Sequence, residues 1–186
     1  MPTKNAQNVL KASEAAYSKL PKVSSELLTL TYGVFIQQIF KTTYRIEDVN
    51  AKLLEIGQNM GLRIVDDFLS HIVFERCSSF TETCQILVGS GFMYFFGVSG
   101  TILSWNEENS QCVFLLKHNL LNNFVEIPAH LEGLKYNNML CGVIKGALNA
   151  INFKVKVEEV ESTVYGANDD VFSISLEELL HDETGE

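Results

Sequence analysis

QILVGSGFMYFFGVSGTILSW, residues 85–105, fills most of a window without charge between Glu82 and Glu107. On length alone the window reaches the span of a bilayer. Gly89, Gly91, Gly97 and Gly100 interrupt it, hydroxyl residues recur, and acidic rather than basic residues flank both ends. None of these suits a membrane segment. A buried helix that ends near Gly97, followed by a strand from Ile102 to Trp105, accounts for the same residues. This stretch is therefore the point where the chain changes from helix to sheet.

Upstream, Ser79 with Glu82 three residues on forms a capping box, so the helix starts just after Cys77 and runs toward Phe96. A helix is expected to start at Ser24, Ser25 and Glu26 and to continue through LLTLTYGVFIQQIF. Its apolar residues lie on two faces: Leu27, Leu30 and Val34 on one, Leu28, Tyr32, Phe35 and Ile39 on the other. A helix apolar on both sides needs two partners, either two parts of one core or one core and another subunit. From Glu47, Val49, Leu53, Ile56 and Met60 recur at helical spacing, and the helix continues through GLRIVDDFLSHI. Gly57 and Gly61 within it either weaken it or admit a closely packed neighbour.

Downstream, TILSW and QCVFLL flank the turn-forming NEENS and predict an antiparallel hairpin. YNNMLCGVIKGALNAI predicts a further helix capped by Asn137 or Asn138, and FKVKVEEV and DVFSISL alternate as strands that pair across YGAND. The expectation is an α+β domain, with a helical layer packed on a small four-stranded antiparallel sheet. It spans residues 21–178, between a flexible N-terminal tail at 1–20 and an acidic C-terminal tail at 179–186. The chain shows no internal repeat and no interdomain linker.

Of 186 residues, 46% are hydrophobic, enough for one sizeable core. The net charge of −9 is uneven, because residues 158–186 hold ten acidic side chains and no Lys or Arg. The rest of the chain is nearly neutral and carries no basic stripe to neutralise phosphates, so nucleic-acid binding is not expected. The start has no secretory signal, so the chain is expected in the cytosol with Cys77, Cys84, Cys112 and Cys141 as thiols.

GSGFMY lacks the third glycine of a dinucleotide loop and sits inside a helix. Metal-ligand spacing is absent around His71, Cys77 and Cys84, so no metal is expected. No oxyanion hole or orienting group marks a cysteine nucleophile, and Asp66 and Asp67 read as a helix surface rather than an acid–base pair. Three roles are left for Cys77: core filler, nucleophile, or attachment point for an apolar group. Counting along a helix from Cys77, positions Cys84, Val88 and Gly91 fall on one face. Fourteen residues cover roughly 21 Å, close to an extended sixteen-carbon acyl chain. Burying about fifteen methylenes at ~0.8 kcal/mol each contributes on the order of 10 kcal/mol gross. The same small residues would equally let another helix approach.

SSELLTLTYG at 24–33, GLRIVDDFL at 61–69, RCSSFTET at 76–83, FVEIP at 124–128 and YNNMLCGVIKGAL at 136–148 are in register with the small core subunits of the transport protein particle (TRAPP). Over residues 22–165 the chain resembles that family, closest to its acylated Bet-three branch. The resemblance implies the α+β fold with an internal hydrophobic acyl tunnel, and a non-catalytic scaffold subunit of a vesicle-tethering complex. That complex promotes nucleotide exchange on a Rab-family GTPase in traffic between endoplasmic reticulum and Golgi.

By position, Cys77 falls on the family's acylated cysteine, carrying covalent palmitate or a similar fatty acid and leaving self-acylation open. Gly91 falls on a small residue beside the tunnel, and Cys84 and Val88, on the same face by the helical count, are expected to line it with Gly91. Leu27, Leu28, Leu30, Tyr32, Phe35 and Ile39 fall on the subunit interface, which implies a homodimer in isolation and heterodimers with other TRAPP subunits in the complex. The implied location is the cytoplasm, peripherally on cis-Golgi and ER–Golgi membranes. The likeness fails at the end, where the family pattern carries basic residues and DVFSISLEELLHDETGE carries none. The competing reading is a free-standing carrier or sensor of hydrophobic small molecules.

Overall fold

A computed structural model of the chain describes residues 2–180. Six α-helical segments and four strands follow in the order α1 Lys4–Lys19, α2 Ser25–Thr42, α3 Ile46–His71, α4 Phe80–Ile86, α5 Phe92–Phe96, β1 Thr101–Trp105, β2 Gln111–Leu116, α6 Asn138–Ala150, β3 Phe153–Glu161 and β4 Asp170–Leu179. A π turn at Leu87–Gly91 joins α4 to α5, so the helix is continuous from Phe80 to Phe96. It stops at Gly97, whose φ of 71° is the left-handed conformation that ends helices. The uncharged run thus folds as a buried helix followed by a strand. Among the described residues no helix is long and apolar enough to cross a membrane.

The sheet order is β1-β2-β4-β3, antiparallel throughout. Alternation places Cys112, Phe114 and Leu116 of β2 inward, and Val155 and Val157 of β3 with them. Phe114 stacks on Phe172 of β4 with ring centroids 5.4 Å apart. Helices cover this face: Phe80, Cys84 and Val88, with Leu140, Ile144 and Leu148 of α6, share its core.

α3 and α6 meet backbone to backbone. A Cβ on Gly57 would overlap the Met139 carbonyl oxygen, and one on Gly61 the Val143 carbonyl oxygen, while Gly142 and Gly146 return the same close approach from α6. Gly57 and Gly61 therefore serve close packing between the two helices. This seam fixes the spacing of the two helices that wall the cavity described below.

Two expectations need correction. The expected flexible tail at 1–20 is instead a helix over most of its length: Lys4–Lys19 is helical, capped by the Thr3 side chain, with Ala6, Val9 and Ser13 buried. Its apolar face is made of small residues, which kept the helical period weak in the sequence. At the other end Leu179 belongs to β4, and the acidic residues of 181–186 lie outside the described residues. Asn137 does occupy the N-cap of α6, but its side chain makes no cap bond. It is fully buried and instead donates to Glu159 Oε1 at 2.6 Å and Ser162 Oγ at 3.3 Å while accepting from Asn119.

Candidate functional site

Between α3 and α4 the chain leaves regular structure over residues 72–77. Ile72 and Phe68 are buried, Phe74 packs its ring 6.1 Å from Phe68, and Cys77 rests half-buried against the same cluster. Ser79 then caps α4 by accepting from the Glu82 amide at 3.2 Å. Glu82 closes the box one residue early. Its carboxylate accepts from the Ser78 amide at 2.7 Å and from Ser78 Oγ at 3.0 Å rather than from Ser79. The Ser78 amide first and the Thr3 hydroxyl second hold the buried Glu82 carboxyl below the usual carboxylate range.

Cys77 borders a cavity of about 870 Å³. One wall is α3, through Ile64, Phe68 and Leu69; another is α6, through Val143, Ile144 and Ala147. The third is the continuous helix, which contributes Thr83, Ile86, Leu87, Gly91 and Phe95. From Thr83 to Phe96 that wall measures about 20 Å at 1.5 Å per residue. The lining is almost wholly aliphatic and aromatic, with Arg76, Cys77, Thr83 and Asn152 as its polar exceptions. Gly91 opens it: nothing lies within 4 Å of where a Cβ would stand.

Burial pushes the Cys77 thiol above its ordinary range; the Thr83 hydroxyl draws it back and the Glu82 charge raises it again. Burial and the Glu82 charge, rather than a cation, dominate the setting of this sulfur, the reverse of what lowers the pKa of an activated thiol. Its chemical endowment is a neutral nucleophile at the edge of a long apolar space.

The expected tunnel residues divide. Gly91 and Cys77 border the cavity, whereas Cys84 and Val88 do not; they are fully buried in the core under the sheet. Two causes displace them. Cys77 precedes the helix, so counting turns from it starts from the wrong phase, and the π turn takes up an extra residue that rotates everything after it. Cys84 instead lies beside Cys112, whose thiol first and whose surrounding burial second keep Cys84 protonated. Thr83 and Leu87, at spacings of four before Gly91, are the part of the wall that the residue order did not reveal.

The expected interface divides as well. Tyr32 and Ile39 are buried in the chain's own core, Tyr32 donating its hydroxyl to the Tyr136 carbonyl, and Leu28 and Phe35 pack partly against that core. Leu27 and Leu30 are 61% and 67% exposed, with Val34 beside them at 63%. The two apolar faces read from the sequence are thus one core face and one open face. Among the described residues no group of three or more His, Cys, Asp or Glu is placed to hold a metal ion.

A helical layer on a four-stranded antiparallel sheet, with an apolar cavity bordered by a single half-buried thiol, defines the class. The chain matches the transport protein particle (TRAPP) component family over residues 28–177 and belongs to it. It is 36% identical to trafficking protein particle complex subunit 3 of Dictyostelium discoideum, over 92% of this chain and 93% of that one. It is 35% identical to transport protein particle subunit bet3 of Schizosaccharomyces pombe, over 93% and 94%. The fold superposes with a TM-score of 0.79 and 30% identity on a crystal structure of trafficking protein particle complex subunit 3 from Naegleria fowleri covalently bound to palmitic acid, covering 85% of this chain and 98% of that one.

Proposed function

We propose that this chain is a non-catalytic scaffold subunit of a TRAPP vesicle-tethering complex and that Cys77 carries a fatty acid, palmitate or a near homologue, whose tail lies in the cavity beside Gly91. The observation that carries the reading is the cavity itself: about 870 Å³, apolar, and bordered by the one cysteine that is not fully buried. The palmitate of the Naegleria fowleri relative supports it. A tail of about fifteen methylenes would gain on the order of 10 kcal/mol gross on leaving water.

Attachment needs no oxidant. The Cys77 sulfur attacks the carbonyl carbon of a fatty acyl thioester, a new C–S bond forms as the donor's C–S bond breaks, and the donor thiol departs with the proton that Cys77 gives up. The cavity supplies the binding energy that holds the acyl chain near the sulfur, which compensates for the unactivated thiol. Acylation by the chain alone, without a transferase, follows this route.

The open α2 face of Leu27, Leu30 and Val34 favours a subunit over a free carrier, since an exposed apolar stripe is an interface in waiting. Through it the chain pairs with itself in isolation and with other TRAPP subunits in the complex, on the cytoplasmic side of cis-Golgi and ER–Golgi membranes. Nucleotide exchange on a Rab-family GTPase is a property of that assembly. The deciding experiment is intact-mass measurement of protein from a eukaryotic host before and after hydroxylamine: a fatty-acyl increment that disappears is expected, and an unmodified mass from the start rejects the acyl reading.

A further inference from the structure

The segment that carries Cys77 is gripped from outside by the N-terminal helix. Residues 72–77 have no regular structure, yet Ile72, Val73, Phe74, Arg76 and Cys77 all border the cavity. Two side chains tie this segment's backbone down: Asn5 Nδ2 donates to the Glu75 carbonyl at 3.2 Å, and Glu82 accepts from the Ser78 amide at 2.7 Å. Glu82 is held in turn by α1, because Thr3 Oγ1 donates to its other oxygen, Oε1, at 2.7 Å. The Thr3 amide donates to Gln85 Oε1 at 2.9 Å on the next turn. Below these bonds, Ala6 and Val9 pack into the cluster of Phe68, Ile72, Ile86 and Tyr94, against which Phe74 and Cys77 also rest.

The seam under α1 is weak by construction. Its fully buried residues are the small Ala6, Val9 and Ser13, and Ser13 Oγ is buried without a hydrogen-bond partner. The helix joins the body through Pro21–Ser24, which is exposed and irregular. None of the buried residues of α1 belongs to the main core, so α1 can leave without opening it.

We infer that α1 is a latch on the Cys77 segment: engaged through Thr3, Asn5 and Glu82 it holds residues 72–79 against the cavity, and released it exposes the sulfur to the acyl donor and the thioester to cleavage. This rests on the acylation reading for its biological use, but not for its physical test.

Acyl-free full-length protein is treated with N-ethylmaleimide, and labelling of each cysteine is followed by peptide mass. Cys84, Cys112 and Cys141 are fully buried and report whether the fold is intact. Thr3→Val removes both the cap of α1 and the bond to Glu82, and is expected to raise the Cys77 rate about tenfold, the effect of about 1.4 kcal/mol on an opening equilibrium. Thr3→Ser keeps both bonds and should label like the parent. Val9→Asp, which places a charge in the seam, should label faster still while the other three cysteines stay protected. Equal Cys77 rates in the parent, Thr3→Val and Val9→Asp overturn the latch. If Val9→Asp exposes all four cysteines, the contrast of Thr3→Val with Thr3→Ser decides alone. In acylated protein, hydroxylamine cleavage should follow the same order of rates. A chain that never carries an acyl group defeats the acylation reading while the maleimide rates still judge the latch.

Discussion

Cys84 and Gly91 stand seven residues apart on one continuous helix, yet Cys84 is sealed in the core under the sheet and Gly91 opens onto the cavity beside Cys77. In an unbroken α-helix that spacing would put both on one face. The π turn at Leu87–Gly91 separates them, and it aligns Gly91 with Leu87 and Thr83 instead. A wide turn at this place lets one helix serve a packed core on one side and an open cavity on the other.

Gly91→Leu should therefore act on the ligand and not on the fold. The new side chain enters empty space, so it meets no backbone, and removal of a mid-helix glycine stabilises by up to about 1 kcal/mol. The acyl-free variant is expected to melt at or slightly above the parent temperature, while its acylated fraction, read by intact mass, falls several-fold. A variant that takes up the full-length chain as well as the parent places the acyl path elsewhere.

Removing the acyl group should cost stability out of proportion to any surface modification. Gross burial of the tail is an upper bound, and if about 3 kcal/mol survives the collapse and hydration of the emptied cavity, the melting temperature drops by about 6–12 °C. Calorimetry of the acylated protein before and after hydroxylamine measures this, and Cys77→Ser should match the deacylated protein.

The rate of acyl transfer from palmitoyl-CoA should climb with pH. Desolvation holds the Cys77 thiol above its ordinary pKa, so from about pH 6.5 to 8.5 the thiolate fraction rises roughly tenfold per unit without levelling off. The sign follows from the neutral form being the favoured one in the half-buried site. Single-turnover acylation followed by mass across that range gives the profile, and a plateau near neutrality would show an activated thiol that the surroundings do not explain.

Leu30→Glu and Ile39→Glu, on the same helix, should part company. Leu30 is 67% exposed, so its replacement leaves the monomer's stability within about 0.5 kcal/mol and shifts the species seen by light scattering from dimer to monomer. Ile39 is 5% exposed in the core, and a carboxylate there should prevent folding. A Leu30→Glu protein that remains dimeric assigns self-association to another face.

Much of this was readable in the order of residues. Ser24 and Ser79 cap α2 and α4 as their positions beside the apolar runs require, and Gly97 ends the long helix where the period breaks. The alternation in FKVKVEEV and DVFSISL marks two strands, and in β3 it also decides that Val155 and Val157 face inward, whereas β4 is buried on both faces from Asp170 to Ile174. α1 reads in the sequence as a flexible tail, because Ala6, Val9 and Ser13 repeat at helical spacing but carry little hydrophobic contrast.

The sequence by itself determined these elements, their class and the placement of a thiol just ahead of a helix, since caps, periods and breakers act over a few residues. Tertiary structure alone decided which face of each helix looks into the cavity, which of the two apolar faces of α2 stays open, and that α1 folds back on the Cys77 segment. Those outcomes depend on a single extra residue in one turn and on surfaces brought together from distant parts of the chain, and neither leaves a periodic trace in the string of amino acids.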